Sequence, residues 1–159
     1  MEEGTLPKSA KFRIWRGTPV AGELKEFDVD LDPGMVVLDA VLKVQAEQAG
    51  DLAVRWNCKA GKCGSCSAEV NGKPKLMCMT RLSSLPLDRP VTVEPMKAFP
   101  LKKDLVTDVS WNYEVDRKIP PFRPKAPEKD GTFRMWQKDI DRVQEFRKCI
   151  QCFLCQDVC

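Results

Sequence analysis

The feature that most constrains this chain is its set of eight cysteines, which fall into two groups, in a sequence without histidine. The first group runs from Cys58 to Cys78 and the second from Cys149 to Cys159, with 70 residues between them. Without an imidazole, a His-ligated haem, a Cys2His2 zinc site, a Rieske centre and any nucleophile that needs a histidine base are excluded. A metal bound by this sequence is therefore held mainly by sulfur.

Composition and charge narrow the class of protein. The chain has 159 residues, of which 43% are hydrophobic and 31% charged, and its net charge of +3 is spread without a basic stripe, so nucleic acid is not expected as a partner. The longest apolar stretch, MVVLDAVL, is far shorter than the roughly 20 residues of a bilayer span. The amino-terminal MEEGTLPKSAKFRIW lacks the apolar core of a secretory signal. We expect a cytosolic protein, whose cysteines favour metal or redox chemistry over disulfides.

The first two thirds of the chain predict a small mixed sheet crossed by one helix. Two strands, KFRIWRG and EFDVDLD, are separated by a turn, and apolar residues at helical spacing predict a helix over residues 37–48. Asn71-Gly72 lies between the short runs SAEV and KPKLMC, which is a strong signal for a tight hairpin. VTVEPM is the last predicted strand. Residues 1–105 are therefore assigned to an α+β domain.

The pattern changes after residue 105. DLVTDVSWNY is interpreted as helical, IPPFRPKAP has too many prolines for a sheet interior, and a second helix is predicted over residues 139–148. Residues 106–159 are therefore assigned to a second, helical domain that carries the terminal cysteines.

The first cysteine group has the spacing of a plant-type ferredoxin, C-x4-C-x2-C-x11-C, which predicts a [2Fe-2S] cluster. Gly61 and Gly64 lie between the first three cysteines, where a loop must turn tightly and present backbone N–H groups to the cluster without an intervening Cβ. The predicted ligands are Cys58, Cys63, Cys66 and Cys78.

Two other interpretations of these cysteines remain open on spacing alone. A structural zinc site also uses four cysteines, although zinc sites usually combine two C-x2-C units, and this spacing does not. Disulfides are disfavoured because the expected compartment is reducing.

Basic residues dominate the neighbourhood of the first group. Nearby cations should raise the reduction potential of a cluster and suit an acidic partner surface, unless these side chains point away and act only as solubilising groups. Against one acid, Glu69, the stretch carries six basic residues: Arg55, Lys59, Lys62, Lys73, Lys75 and Arg81.

The second group has the C-x2-C-x2-C-x3-C spacing of bacterial ferredoxins, in which the fourth cysteine serves another cluster when two are present. Its members are Cys149, Cys152, Cys155 and Cys159. Because the x3 spacing carries the last residue away from the other three, the group is interpreted as ligands of two clusters. A cubane closed by all four cysteines is the minority alternative.

The order of these motifs resembles one family over nearly the whole chain, the iron–sulfur subunit of succinate dehydrogenase and fumarate reductase. The likeness lies in PGMVVLDAVLKVQ, CKAGKCGSC, the NG hairpin, VEPMKAFPLKKDLVTD, IPPF and CIQCFLCQDVC. It implies a β-grasp ferredoxin domain followed by an α-helical ferredoxin domain. It also implies an electron-transfer subunit of succinate:quinone oxidoreductase that has no catalytic residue of its own.

The resemblance further implies cofactors, partners and location. Cys149, Cys152 and Cys155 would ligate a [4Fe-4S] cluster, and Cys159 a [3Fe-4S] cluster. Electrons would pass between the FAD of a flavoprotein subunit and a membrane quinone beside anchor subunits, on the cytoplasmic face of a bacterial inner membrane. The family's remaining ligands for these two clusters lie in a later stretch that this sequence lacks, so we expect the chain to be a fragment.

Two alternative functions remain, one in another class of protein and one with another redox partner. The cysteines could stabilise a zinc-binding adaptor module, or the chain could be a free [2Fe-2S] ferredoxin that serves another reductase. The basic loop argues against a free ferredoxin, since carriers that shuttle among partners are more often acidic.

Overall fold

The computed structural model describes residues 6–159, and the expectation about a secretory signal falls partly on residues outside that range. The chain divides into two compact units. A strand-rich unit consists of the described residues up to Asp108 together with Gln151–Cys159, and a helical unit consists of Val109–Ile150.

The strand-rich unit is built on a five-stranded mixed sheet with the order β2-β1-β5-β3-β4, beside a separate two-stranded sheet. This arrangement agrees with the predicted mixed α and β architecture of a [2Fe-2S] ferredoxin-like domain. The strands are β1 (Ser9–Gly17), β2 (Gly22–Asp30), β3 (Ser67–Val70), β4 (Lys73–Leu76), β5 (Val91–Glu94), β6 (Leu101–Lys103) and β7 (Val106–Thr107).

The first hairpin forms one edge of the sheet. β1 and β2 pair antiparallel over their whole lengths, from Ser9 opposite Asp30 to Gly17 opposite Gly22. Alternate residues of β1, including Phe12 and Ile14, are fully buried, because successive side chains of a strand point to opposite faces. β2 begins several residues earlier than the predicted strand. Its first residues are mostly exposed, so no alternation of apolar and polar residues marks the start of the strand in the sequence.

The central strand β5 joins two parts of the chain that are distant in sequence. It pairs parallel with β1, with Val91 opposite Phe12, and antiparallel with β3, with Val93 opposite Val70. All four of these side chains are fully buried. The predicted strand VTVEPM therefore occupies the middle of the sheet rather than an edge.

Helix α1 (Val37–Glu47) lies where the sequence predicts it, and its apolar face joins the same core as β1 and β5. Its first turn is fixed by two contacts. The Asp39 carboxylate accepts the backbone N–H of Val36 at 3.1 Å, and the Val37 N–H donates to the Thr80 carbonyl at 2.9 Å. The second contact ties the helix to the segment that follows Cys78.

A buried carboxylate holds the turn between β6 and β7. Asp104 has a left-handed backbone (φ 48°) and accepts the N–H groups of Gly17 and Ala53, both at 2.8 Å, and the Nε–H of Arg16 at 3.2 Å. The predicted helix over DLVTDVSWNY is therefore only half right. Its first half forms this turn and β7, and α2 begins at Ser110.

The helical unit contains α2 (Ser110–Asp116) and α3 (Gln137–Arg147). The bounds of α3 are close to those predicted for the second helix, residues 139–148. The proline-rich segment between them is exposed throughout. Within this unit Asn112 alone is buried, and the apolar and aromatic side chains of the unit are exposed or half-buried. The finding does not test the expected α-helical ferredoxin domain, which stays a prediction.

Between residues 6 and 159, no helix combines the length and the apolar character that a membrane span requires.

Candidate metal centre

The first cysteine group lies on a loop whose backbone repeatedly takes the left-handed conformation. Lys59, Gly61 and Gly64 have φ angles of 53°, 64° and 68°. Such residues reverse the direction of the chain within a few positions, and glycine adopts the conformation without a steric penalty. The loop therefore curls around its cysteines instead of extending as a strand.

Backbone donors point at the first sulfur. The N–H groups of Ala60 and Lys62 both lie 3.3 Å from Sγ of Cys58. Hydrogen bonds to sulfur stabilise a thiolate and tune the potential of a cluster that it ligates. The sequence predicts N–H groups directed at the cluster itself, and that part stays a prediction.

The two loop glycines lie against other side chains or backbone. A Cβ atom on Gly61 would lie 2.9 Å from the Met79 side chain, and a Cβ atom on Gly64 would lie 2.7 Å from the Cα of Cys152. Both distances are too short for a carbon contact. The exposed Met79 side chain can rotate away, whereas the Cys152 backbone cannot. Beside the cluster-binding role proposed for both glycines, Gly64 therefore has a packing requirement that the sequence does not reveal.

The four cysteines of the first group differ in exposure. Cys66 and Cys78 are buried, with 4% and 6% of their surfaces exposed, whereas Cys58 and Cys63 are half-buried. The Met77 N–H donates to the Cys66 carbonyl at 3.1 Å, which holds the 3₁₀ turn Met77–Met79 against the end of the loop. Two ligand candidates are thus shielded from solvent and two are partly accessible to it.

The surroundings shift the pKa values of the Cys63 and Cys66 thiols in opposite directions. A hydrogen bond from the Ser65 hydroxyl, followed by backbone N–H groups, lowers the pKa of the Cys63 thiol to about 6. Burial raises the pKa of the Cys66 thiol to about 11, and the nearby Cys78 and Cys63 sulfurs add to the rise. A bound cation reverses the second effect, because it replaces the proton and compensates the buried negative charge.

These interactions link the four cysteines in pairs: Cys58 with Cys63, Cys63 with Cys66, and Cys66 with Cys78. No group of three or more potential metal ligands converges on one point within residues 6–159. The set of four cysteines and the backbone N–H groups directed at Cys58 Sγ nevertheless fit a sulfur-ligated cluster.

The second cysteine group is divided between the two units. Cys149 belongs to the helical unit, and Cys152, Cys155 and Cys159 belong to the strand-rich unit. Cys152 is half-buried, and the other three are exposed. Gln151 and Phe153, on either side of Cys152, have left-handed φ angles of 54° and 60°. Such conformations are uncommon for large side chains and persist where packing holds them.

The surface around the first loop is basic and partly apolar. Lys59 lies over the Trp56 ring, 4.9 Å from its centroid, and Met79 is 61% exposed beside Cys78. Of the six predicted basic residues, all but the half-buried Lys75 are exposed. Glu69, the single acid of the stretch, is buried and paired with Lys97, so it does not offset this charge at the surface.

Sequence analysis did not identify Trp56, Met79 or Ser67 as part of the site. Trp56 and Met79 flank cysteines, but an isolated apolar residue beside a ligand carries no pattern. Ser67 offers a weak signal, since it is a polar residue at the start of a strand that is buried on both faces.

Residues 11–114 match the family described as the 2Fe-2S iron-sulfur cluster binding domain. The chain is similar to the fumarate reductase iron-sulfur subunit of Mycobacterium tuberculosis, with 36% identity over 145 residues, which is 87% of this chain and 57% of that protein. It is also similar to the succinate dehydrogenase iron-sulfur subunit of Paracoccus denitrificans, with 30% identity over 94% of this chain and 59% of that protein.

A solved structure of the Mycobacterium smegmatis Sdh1 complex in the apo form contains a similar chain. The TM-score is 0.89 and the identity 58%, over 97% of this chain and 64% of that one. The present chain thus spans less than two thirds of the length of each of these relatives. The chain belongs to the family of the 2Fe-2S iron-sulfur cluster binding domain, and its resemblance to the iron–sulfur subunits of succinate dehydrogenase and fumarate reductase is confirmed.

Proposed function

We propose that this chain is the electron-transfer iron–sulfur subunit of a succinate:quinone oxidoreductase, and that Cys58, Cys63, Cys66 and Cys78 hold its [2Fe-2S] cluster. The observation that carries the proposal is the first loop, where left-handed residues wrap the cysteines and two backbone N–H groups point at Cys58 Sγ. Membership of the [2Fe-2S] family over residues 11–114 supports it.

In this proposal the chain binds and tunes a redox group but performs no acid–base or nucleophilic chemistry. When bound, a [2Fe-2S] cluster supplies one-electron redox chemistry. The buried Cys66 and Cys78 exclude water from one side of the group, and a hydrogen bond from the Ser65 hydroxyl lowers the pKa of the Cys63 thiol. Gly61 and Gly64 adopt the left-handed backbone with which the loop turns between the cysteines.

The second cysteine group extends the proposal. Cys149, Cys152 and Cys155 would ligate a [4Fe-4S] cluster within an α-helical ferredoxin domain, and Cys159 a [3Fe-4S] cluster, each with ligands from outside this sequence. The three clusters would then link the FAD of a flavoprotein subunit to a quinone at membrane-anchor subunits. The complex would lie on the cytoplasmic face of the bacterial inner membrane.

The surface around the first loop suits a docking partner with an acidic face. Lys59, Lys62 and Arg81 are exposed there, together with the apolar side chains of Trp56 and Met79. An apolar centre within a charged rim is the usual anatomy of a protein interface. We propose that this surface contacts the flavoprotein subunit.

Iron and acid-labile sulfide, measured together with low-temperature EPR on the anaerobically purified full chain, test the ligand assignment. About two irons per chain with a rhombic signal on reduction are expected if the first group alone binds a cluster. Bound zinc in a colourless protein would instead support the adaptor alternative. About six irons would mean that the second group closes a cubane by itself.

Copurification with the flavoprotein subunit tests the partner assignment. The double variant Lys59→Glu/Lys62→Glu should weaken binding, and more so at low salt, because exposed charges are screened as ionic strength rises. The matched control is Lys8→Glu/Lys25→Glu, whose charges lie elsewhere in the chain. Equal loss of binding in both double variants would contradict docking at the first loop.

A further inference from the structure

The terminal segment Gln151–Cys159 packs on the strand-rich unit through several independent contacts. The Asp157 carboxylate accepts the N–H of Ala98 at 2.9 Å, and the rings of Phe153 and Phe99 meet with their centroids 6.1 Å apart. Short helix α4 (Leu154–Asp157) follows Phe153. These contacts attach the segment that carries three of the terminal cysteines to the same unit as the first cysteine loop.

The closest of these contacts joins the two cysteine motifs directly. Gly64, between Cys63 and Cys66, lies so near Cys152 that an added Cβ would be 2.7 Å from its Cα, 2.9 Å from its backbone nitrogen and 3.0 Å from its Cβ. Most of these atoms are backbone, which cannot rotate away as a long side chain can. A residue other than glycine at position 64 would therefore separate the two segments.

A single hydroxyl holds the same contact from the other side. Ser67 Oγ lies 2.8 Å from the Cys152 carbonyl oxygen and 2.9 Å from the Gly64 carbonyl oxygen. The hydroxyl has one hydrogen, which the two acceptors share. Ser67 is only 7% exposed, so water cannot readily replace it as a donor. Loss of this hydroxyl would deprive both carbonyl oxygens of a hydrogen-bond donor inside the fold.

The backbone of the terminal segment is itself held in an unfavourable form at this point. Gln151 and Phe153 are left-handed on either side of Cys152, which costs roughly 1 kcal/mol or more for each non-glycine residue. Such a conformation persists because surrounding contacts determine it. Contacts with Ser67, Gly64 and Phe99 are among those that hold the segment here.

We propose that Gly64 and Ser67 are positioning residues, which fix the backbone of Cys152 against the first cysteine loop and so set the spacing between the groups that Cys66 and Cys152 would hold. Ser67 follows Cys66 directly in the chain. A continuous path of covalent bonds therefore runs from Cys66 to the Ser67 hydroxyl, and one hydrogen bond completes it to Cys152. Electronic coupling is stronger across such links than across empty space.

This inference rests on the proposed function, since it takes Cys66 and Cys152 as ligands of two different clusters. The contact itself, however, is a property of the polypeptide. Its test can therefore begin with a measurement that does not depend on bound iron.

Hydrogen–deuterium exchange of the full chain tests the contact. Ser67→Ala should make the amides of residues 151–159 exchange about tenfold faster. Without the hydrogen bond to Cys152, local opening of the segment costs less free energy. Gly64→Ala should have an equal or larger effect on the same residues. The matched control is Ser84→Ala, which also removes a serine hydroxyl that donates to a backbone carbonyl, that of Arg81 at 2.7 Å. Exchange in β1 reports whether each variant keeps its fold.

Unchanged exchange of residues 151–159 in both Ser67→Ala and Gly64→Ala would overturn the proposal. So would equal acceleration in the Ser84→Ala control, since the effect would then be unrelated to the contact.

A spectroscopic measurement tests the positioning role in the anaerobically isolated complex with its partner subunits. When two paramagnetic centres are close, each speeds the magnetic relaxation of the other. In Ser67→Ala, the microwave power that half-saturates the reduced [2Fe-2S] signal should fall toward the value of an isolated cluster, with iron content unchanged. An unchanged saturation curve would refute the positioning role.

Iron content keeps the two proposals distinguishable. If the complex holds no cluster at the second group but exchange still depends on Ser67, the cluster assignment fails and the contact stands. If all clusters are present and exchange is independent of Ser67 and Gly64, the positioning proposal fails and the proposed function stands.

Discussion

Asp104 is one residue on which three segments of the strand-rich unit converge. Its carboxylate accepts hydrogen bonds from backbone N–H groups at the end of β1 and at Ala53, and from the Nε–H of Arg16. Only 1% of the residue is exposed. A buried charge is tolerated where it is paired and fully hydrogen-bonded, and removing it leaves the donors unsatisfied. Its neighbour Arg16 also contacts the exposed Asp51 at 2.7 Å.

Asp104→Ala should lower the free energy of unfolding by about 3 kcal/mol, because two buried N–H groups and a guanidinium lose their acceptor. Urea denaturation of the full chain measures the change. Asp51→Ala removes the other, solvent-exposed carboxylate partner of Arg16 and should leave the midpoint nearly unchanged. A similar loss in both variants would show that the Arg16 ion pairs, rather than the hydrogen bonds that Asp104 accepts from backbone N–H groups, account for the effect.

Cys66→Ser should remove or weaken the cluster of the first group, because a neutral hydroxyl is a poor substitute for a buried thiolate as an iron ligand. Iron content and the EPR spectrum of the reduced protein measure the change. Cys155→Ser is the control, since it alters the second group and should leave the first unchanged. An unchanged spectrum in Cys66→Ser would rule out its role as a ligand.

At the scale of single elements, local sequence patterns are sufficient to predict the β3–β4 hairpin and helix α1. Asn71 and Gly72 have φ angles of 49° and 70°, the pair of positive values that a type I′ turn requires and that Asn-Gly supplies. The Asn71 side chain adds a contact outside the hairpin, since its Oδ1 accepts the Thr92 N–H of β5 at 2.9 Å. This turn therefore also aligns β3 with the central strand.

Asn71→Ala should destabilise the full chain by about 2 kcal/mol, half from the left-handed backbone and half from the lost hydrogen bond to Thr92. Asn71→Asp keeps an acceptor oxygen and tolerates the same backbone, so its urea midpoint should stay close to that of the natural sequence. If the alanine and aspartate variants unfold at the same urea concentration, the turn does not contribute in this way.

Other elements could not be predicted because their causes are tertiary. The β6–β7 turn depends on Asp104, whose two backbone donors are 51 and 87 residues away in sequence, so no local pattern marks it. The same holds for the candidate site. The spacing of Cys58, Cys63, Cys66 and Cys78 predicts a group of ligands, whereas the contact of Gly64 and Ser67 with Cys152 spans 85 or more residues.

At the scale of the whole molecule, the two units differ in how they are stabilised. The strand-rich unit has a continuous core around Phe12, Ile14 and Leu38, whereas α3 of the helical unit has no buried residue. Exposed aromatic side chains of the helical unit include Trp111, Phe122, Phe133, Trp136 and Phe146.

Limited trypsin digestion of the full chain should cut first within residues 117–136, for example after Lys129, because this segment is exposed and lies outside regular secondary structure. Cleavage after Lys11, which lies in β1 and pairs with β2, should be at least about tenfold slower, since strand β1 must first open. Intact-mass spectrometry identifies the order of the cuts. A first cut within β1 would contradict the assigned difference in stability.

The position of β5 in the sheet also bears on how the protein is made. β5 pairs with both β1 and β3, yet it is the last of the five strands to leave the ribosome, after Cys58, Cys63, Cys66 and Cys78. Until residues 91–94 are available, β1 and β3 have no strand between them, and the core that buries Cys66 and Cys78 is incomplete. The cysteines are thus synthesised before that core exists, so a nascent chain must pass through a stage in which even Cys66 and Cys78, buried in the folded unit, are accessible to iron and to oxidants.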